Sequence, residues 1–452
     1  MFCKIPPFFP NLSNKYFVLN IIIRVKEFLL PVVFLFLFLN QTTAQDTIRV
    51  MQYNLLFYGL YTDFCTAGNN NTDDKDEYLR TILGHFQPDI FTVNELGRGA
   101  HNLTRIRDNV LNIGDVDYFE YATYTNTGNG WFANGLFYDS RKFGLYNEVI
   151  INTLVRDINL YTLYYKSEDL ELIGDTVFLT LIVAHLKAGQ SASDQQTRTT
   201  MVTNVMNYLD ANNYSGNIMF MGDFNMKSSV EFAYQLMVNN TNENIRFHDP
   251  IDITGQWGNN PDMAPYHTQS PRTGSHPCFV TGGLDDRYDF ILATRSIMEG
   301  LRGFQYIEDS YTAIGQDGNR FNQSLINPQN LSQPPEIINA LYNMSDHLPV
   351  MLDMVSVELI NSTYNMFSDE THFTFNNPVK DILSINPGIK QSIGLKIGIY
   401  SVTGHQVANY SYPHYSDGET IQIDLSHLRQ GVYILRMETS DGYVFSGKII
   451  KI

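Results

Sequence analysis

From Asp46 onward, short apolar runs of strand length alternate with polar loops, and in a few longer stretches apolar residues recur at helical spacing. The runs predict strands over Ile48–Leu55, Ile90–Val93, Gly135–Tyr138, Val177–Ala184, Asn217–Met221, Tyr288–Ala293 and Leu348–Val357. The longer spacings predict helices over Asp74–Phe86, Asn102–Leu111, Asp194–Asp210 and Val230–Asn239. Strands and helices mixed in this order predict a layered α/β or α+β architecture. Pro250–Gly283 and Gly315–Pro335, rich in turn-forming residues and poor in apolar runs, predict long surface loops, a common place for substrate contacts.

The two ends of the chain follow other patterns. Phe28–Leu39 is an apolar run preceded by Arg24 and Lys26 and followed by the small residues Thr42-Thr43-Ala44. It is shorter than the ~20 residues that span a bilayer, so it predicts a cleaved signal peptide rather than a membrane anchor. Beyond Val357, short strands alternate apolar and polar residues, with turn signals at Thr403-Gly404 and Asp441-Gly442. This predicts a small β-sandwich without clustered acids, His or Cys. The division is a signal peptide over 1–44, a main domain over 45–357, a linker over 358–374 and a β-rich tail over 375–452.

Composition narrows what the main domain can do. A formal net charge of −17 and the lack of any Lys/Arg-rich run exclude a protein that holds nucleic acid chiefly by counterion release. They do not exclude nucleic acid as a substrate, which needs only a brief local encounter. Loss of the signal removes Cys3 and leaves Cys65 and Cys278, which export would allow either to bridge or to stay as thiols.

Candidate chemistry sits where apolar runs end in polar residues. Asn54 lies at the end of the first strand, Glu95 follows the second and His185 closes Phe178–Ala184. Gly222-Asp223-Phe224-Asn225 follows another run, Asp289 lies within Tyr288–Leu292, and Ser345-Asp346-His347 precedes the last. Any one of these alone fits a turn former or a structural histidine. Together, converging at the ends of strands that share a sheet system, they supply oxygen ligands for a hard cation and groups for proton transfer.

In order and context these segments resemble the signature blocks of the endonuclease/exonuclease/phosphatase, or DNase I-like, superfamily over about Thr47–Val357, with Gly222-Asp223-Phe224-Asn225 and Ser345-Asp346-His347 the most specific parts. The resemblance implies an α/β fold, a four-layer α/β sandwich of two mixed sheets flanked by helices. It implies Mg²⁺, with Mn²⁺ or Ca²⁺ as substitutes, bound by Glu95 with Asn54 and Asp346 beside it. Asp223 and Asn225 would position the attacking water and a phosphate oxygen. His347, paired with Asp289, would serve as base or transition-state stabiliser, and His185 would protonate the leaving group. Lys187 and Arg198 resemble basic residues placed beside the phosphate in bacterial secreted members, although a solvated helix face is the competing role for Arg198. Two departures stand out: Asn94 where the family often has Gln, and Ala184 where many members have Asn, a change expected to remove a polar group near the scissile phosphate.

The tail is similar to the C-terminal sorting domain of type IX secretion substrates, on Asn377-Pro378-Val379, Ile399–Gly404, Ile423–Leu428, Gly431-Val432-Tyr433 and the terminal Lys448–Lys451. That likeness implies engagement with the type IX machinery, and release or surface attachment. The combined expectation is a secreted metal-dependent phosphodiesterase acting on extracellular DNA or RNA. A phospholipid or phosphoinositide phosphodiesterase of the same fold is the alternative, and a non-catalytic surface binding protein is a third. A degenerate binder should have lost one of Glu95, Asp223, Asn225, Asp346 or His347, and all are present.

Overall fold

A computed structural model describes residues 46–452, apart from 129, 154, 167–175, 358–373, 388–392, 402–404, 416–418 and 441–443. The expected signal peptide, the linker up to residue 373 and the two tail turn signals lie outside the described residues. The chain divides into two units, Met1–Asp46 and Thr47–Ile452, and every described residue after Asp46 belongs to the second.

Thr47–Ser356 contains two mixed sheets. The first takes its strands in the order β11 (Phe304–Tyr306), β13 (Val350–Ser356), β1 (Thr47–Tyr58), β2 (Ile90–Gly97), β4 (Phe132–Asp139) and β3 (Phe119–Tyr121), with β12 (Thr312–Ala313) also pairing on β13. The second runs β5 (Phe143–Ile151), β6 (Ile158–Tyr165), β7 (Phe178–His185), β8 (Ile218–Asp223), β10 (Asp289–Thr294) and β9 (Phe247–His248). Each sheet has one parallel pair at its centre, β1 with β2 and β7 with β8. A parallel pair needs a crossover, here helix α1 (Thr72–Phe86) and helix α3 (Ala192–Ala211). Both crossover helices start on side-chain caps, Asn71 for α1 and a Ser191–Asp194 capping box for α3, worth about 1 kcal/mol each.

Three apolar clusters define four layers. One packs α1, α2 (His101–Ile106, continued by a π turn over Arg107–Leu111) and α6 (Pro335–Met344) on the outer face of the first sheet. A second packs α3 and α4 (Phe232–Val238) on the outer face of the second sheet. The third lies between the sheets and draws on both. The short α5 (Arg295–Met298) follows β10. This is the expected four-layer sandwich. Because the central strands are covered on both faces, they read as continuous apolar runs.

The two-residue period of a strand explains where the chemistry falls. In β1, Met51, Tyr53 and Leu55 face the helices, while Ile48 and Val50 face the opposite sheet, so Gln52 and Asn54 continue that inner face. Likewise Leu181 and Val183 lead to His185, and Met219 and Met221 lead to Asp223. The inner faces are apolar for most of their length and turn polar at the carboxyl ends of the parallel strands, where open α/β sheets place their ligands.

The sequence reading missed β5, β6 and α6. β5 is an edge strand with Tyr146 and Asn147 exposed, so it lacks the continuous apolar run of a central strand. The tail forms two antiparallel sheets, β14 (Thr374–Phe375), β15 (Ile382–Asn386) and β18 (Ile421–Asp424) in one, and β17 (Gln406–Tyr415), β16 (Ile393–Ser401), β19 (Gly431–Thr439) and β20 (Val444–Lys451) in the other. They share a separate core that includes Val379, Leu383, Ile397, Leu435 and Ile449. Among the described residues no helix is long and apolar enough to cross a membrane.

Gly222 is fixed by close approach. It pairs with Ala184 across β7 and β8 at φ 139°, and a Cβ there would lie 1.8 Å from the Ala184 carbonyl oxygen. Gly222→Ala is expected to destabilise the protein by about 3 kcal/mol or more, read as a large drop in Tm by thermal unfolding. An unchanged Tm would mean that the β7–β8 contact is not closed in solution.

Candidate active site

The site gathers Asn54 from β1, Glu95 from β2, His185 from β7, Asp223 from β8, Asp289 from β10, and Asp346 and His347 from the segment before β13. Ligand atoms of Glu95, His185 and Asp223 all lie within 4.8 Å of one another. The Asn54 amide donates to Glu95 Oε1 at 3.2 Å and to Asp223 Oδ2 at 3.0 Å, bridging the two sheets. His347 Nδ1 is 2.7 Å from Asp289 Oδ2, and His347 Nε2 is 3.8 Å from Asp223 Oδ2. His185 Nε2 lies 3.4 Å from the same Asp223 oxygen. Asp223 thus stands between the two histidines.

Local backbone devices hold these groups. Ser345 Oγ donates to the Asn54 carbonyl at 2.6 Å and accepts the His347 N–H, tying the Ser-Asp-His block to β1. Asp346 Oδ2 accepts the Val280 N–H at 3.1 Å. Asn225 donates its backbone N–H to Asp223 Oδ1 at 3.0 Å. Glu95 and Asn225 both adopt left-handed backbone, φ 56° and 55°, a conformation that costs non-glycine residues of order 1 kcal/mol or more and recurs at functional sites.

The electrostatics call for a cation. Burial, and then the charge of Asp346, raises the Glu95 pKa. Burial raises that of Asp223 to about 7, with His347 opposing and Asp289 and Glu95 adding to the rise. Glu95 Oε2, Asp346 Oδ1 and Asp289 Oδ1 are buried with no hydrogen-bond partner. Such oxygens are costly unless something positive meets them. The donor set is oxygen-rich, which suits Mg²⁺, Mn²⁺ or Ca²⁺.

The two histidines differ. Burial would lower the His347 pKa, but Asp289, Asp223 and Asp346 carry it well above 6.5. Burial, followed by Arg156 and His347, pushes His185 well below 6.5. Burial and its cationic neighbours thus disfavour the charged form of His185, while the surrounding carboxylates favour that of His347.

Three residues near the site escaped the sequence reading. Lys75 of α1 is buried, its Nζ donating to the Leu55 and Leu56 carbonyls. Burial brings its pKa down to about 7 against the pull of Asp346 and Glu95. Arg156 Nη1 donates to the carbonyls of His185 and Leu186, both at 3.0 Å. Gln269 Nε2 sits 2.7 Å from His347 Nε2. A lysine in a helix and an arginine in a loop carry no signal that separates them from solvated charges.

The structure changes several expectations. Arg198 is on no solvated helix face: it is fully buried, pairs with Glu231 at 2.7 Å and donates to the Lys187 and Gly189 carbonyls. Its guanidinium braces the loop after His185 and is not presented to a phosphate. Lys187 is held by Asp194 at 2.9 Å. Ala184 packs in the helix-side core with α3, so a polar side chain at 184 would point away from the cleft. Asn94 is a junction, its Oδ1 accepting from Gln52 Nε2 and from the Asp223 N–H, both at 2.8 Å. Cys65 and Cys278 form a disulfide.

Residues 374–452 match the family model described as the secretion system C-terminal sorting domain. The tail is a sorting domain. It marks the protein for secretion and cell-surface attachment through the type IX system. No curated protein matches the chain. Among solved structures, the human nocturnin catalytic domain with bound sulfate is similar at 15% identity and TM-score 0.43, covering 69% of this chain and 98% of that one. An endonuclease/exonuclease/phosphatase from Beutenbergia cavernae is similar at 14% identity and TM-score 0.42, covering 89% and 99%. D. rerio TDP2 complexed with a single-strand DNA product is similar at 13% identity and TM-score 0.42, covering 68% and 99%. At such distances, the chemistry of the main domain has to be derived from its own residues.

The geometry of the site leads to two expected outcomes. Because Val280 is two residues from the bridged Cys278 and orients Asp346, Cys65→Ser with Cys278→Ser is expected to cost about 2–5 kcal/mol of stability and to weaken Mg²⁺ binding, read by calorimetry on the oxidised and doubly substituted proteins. Unchanged Mg²⁺ affinity would separate the bridge from the site. In chelator, the His347–Asp289 pair stabilises fully below the unfolded histidine pKa of ~6.5 and loses that contribution as pH rises through the raised folded value. The Tm gap between wild type and Asp289→Asn should be widest near pH ~6 and narrow at alkaline pH, since the window opens from the histidine's ordinary pKa upward; a gap that grows with pH would refute the charged pair.

Proposed function

We propose that this exported protein is a divalent-metal-dependent phosphoric-ester hydrolase, and that its substrate is the phosphodiester of extracellular nucleic acid. The observation that carries the reading is the gathering, at one end of the inter-sheet core, of buried Asp223 and Asp346 and part-buried Glu95, with an unpartnered buried carboxylate oxygen on Glu95 and on Asp346, beside a His347–Asp289 pair. A structural role would not leave those oxygens unmet.

Glu95 and Asp346 would hold the cation, with Asn54 fixing the Glu95 carboxylate. A bound divalent ion supplies Lewis-acid neutralisation of charge on the phosphoryl oxygens. The protein's own groups do the rest. Asp223, with a pKa near 7 and between two imidazoles, is poised to accept a proton from an attacking water, as a base works best near the operating pH. His347, its Nδ1 held by Asp289 and its proton affinity raised by that carboxylate, would stabilise charge on the phosphoryl group from its Nε2 edge, where Gln269 now sits. Asn225, whose backbone N–H holds Asp223 and whose amide meets the Leu186 carbonyl at 3.4 Å, would turn that amide to a phosphate oxygen, and His185 would hydrogen-bond the departing oxygen. The sorting tail supports action outside the cell.

The test is digestion of plasmid DNA, RNA and a generic phosphodiester by purified protein in Mg²⁺, Mn²⁺, Ca²⁺ or chelator, with Glu95→Gln and His347→Ala alongside. Nucleic acid is expected to be cut, cutting to stop in chelator, and each variant to lose about 10²–10⁴-fold in rate. Intact nucleic acid with turnover of sphingomyelin or phosphoinositide would move the substrate to lipid. Cutting indifferent to chelator would overturn the mechanism.

A further inference from the structure

Beside His185 lies a recess to which the hydrolytic chemistry assigns no task. A cavity of about 230 Å³ is lined by Asn126, Trp131, Phe132, Val155 and Arg156, with the backbone of Gly128 and Gly130. It is joined to the reacting groups through its wall. The Phe132 ring stacks against the His185 imidazole at 6.1 Å and 27°, and Arg156 reaches from the recess to the carbonyls of His185 and Leu186. The Arg156 guanidinium also feels the charges of Glu95 and Asp223.

The recess is built before any ligand arrives. Asn126 exchanges hydrogen bonds with Gly130, donating to its carbonyl at 2.8 Å and accepting its N–H at 2.9 Å. Arg98, three residues past Glu95, donates to the same Gly130 carbonyl at 3.0 Å, so the loop is tied to the strand end that carries the metal ligand. Phe57 packs edge-on against both Phe132 at 4.6 Å and Trp131 at 6.2 Å. Trp131 itself stays 51% exposed, whereas the other tryptophan, Trp257, is fully buried. A large rigid ring held half in water beside a guanidinium has a free face to offer.

We propose that this recess is a stacking subsite for one unpaired nucleobase of the strand whose phosphate is cut, with Trp131 as the platform and Arg156 as its cationic flank. The inference rests on the nucleic-acid reading of the site and adds where the base goes. Size favours a single planar ring system, since pockets for larger ligands run to ~300–1,000 Å³. Chemistry favours a base over an acyl chain. The walls include a guanidinium and an amide, which an alkyl chain would desolvate without return, while aromatic faces flanked by arginine are how single-stranded nucleic acid is held without sequence preference. In a chain with net charge −17, Arg156 and Arg98 also give the local attraction that the molecule as a whole withholds from a polyanion.

The experiment uses the full protein carrying His347→Ala in Mg²⁺, so that strands bind uncut. A single-stranded oligodeoxynucleotide is compared with an abasic deoxyribose-phosphate chain of equal length and with sphingomyelin–phosphatidylcholine vesicles, affinities being read by calorimetry for every variant and Trp131 contact by tryptophan emission. The base-bearing strand is expected to quench Trp131 and to bind about 5- to 100-fold more tightly than the abasic chain, the range for loss of one stacked base. Adding Trp131→Ala should erase that advantage without weakening the abasic chain, and Trp131→Phe should restore most of it. Equal binding of both chains, equal weakening of both by Trp131→Ala, or quenching by vesicles alone would overturn the subsite. The hydrolase reading fails separately: if the base-bearing strand binds and quenches as expected but otherwise wild-type protein cuts nothing, the subsite stands without the reaction. If wild type cuts DNA and Trp131→Ala cuts it with the same KM, the reaction stands without the subsite.

Discussion

The structure depends on a buried polar seam that joins the two sheets at one end of their shared core. Two apolar faces packed together can slide by a residue or two at little cost, because dispersion and burial are not directional. Asn94 prevents this. It receives a hydrogen bond from Gln52 within its own sheet and from the Asp223 backbone in the other, and donates to Asn134, which in turn reaches the Val183 carbonyl. Each of these groups is buried, so each mispaired register would leave a donor or acceptor unmet at about 1–3 kcal/mol. The seam therefore fixes the relative position of Asn54 and Glu95 on one side and His185 and Asp223 on the other.

That fixed position has a cost which the site carries as charge. Acidic groups held this close in a dry cleft repel one another, and the protein offsets this only in part, with His347 and with the unusual burial of Lys75 under the β1 end. What remains unbalanced includes the Glu95 and Asp346 carboxylates, each of which keeps a buried oxygen without a hydrogen-bond partner. The left-handed backbone at Glu95 and Asn225 belongs to the same arrangement: strand geometry is given up at the points where a side chain must turn into the cleft.

Much of this is legible in the sequence, because a doubly covered strand announces itself as an apolar run, and several such runs closed by acids, amides and histidines together exceed what turns alone require. Asn54, Glu95, His185, Asp223, Asp289, Asp346 and His347 stand out in that way, and the structure brings them together. What the sequence hides is direction and burial. Ala184 and His185 are adjacent in the chain yet face opposite layers, which only the register of β7 against β8 decides. Arg198 looks like any solvated helix arginine, and its burial depends on Glu231, far away in the chain. Lys75 reaches the site from a legible helix whose pattern does not show that this lysine is buried, and Arg156 and Gln269 reach it from loops with no pattern of their own. Edge strand β5 fades for the opposite reason, since an exposed strand has no need of a long apolar run.

The bridge between Cys65 and Cys278 ties the chain that follows β1 to the loop whose Val280 N–H steadies Asp346. Thiols stay reduced in the compartment where a protein of this kind is made, and pair only after it has left. Completion of the cleft is thereby timed by geography. For the nucleic-acid hydrolase proposed above, which would be a hazard to the cell that synthesises it, the last constraint on Asp346 closes only once the producer's own genome is out of reach.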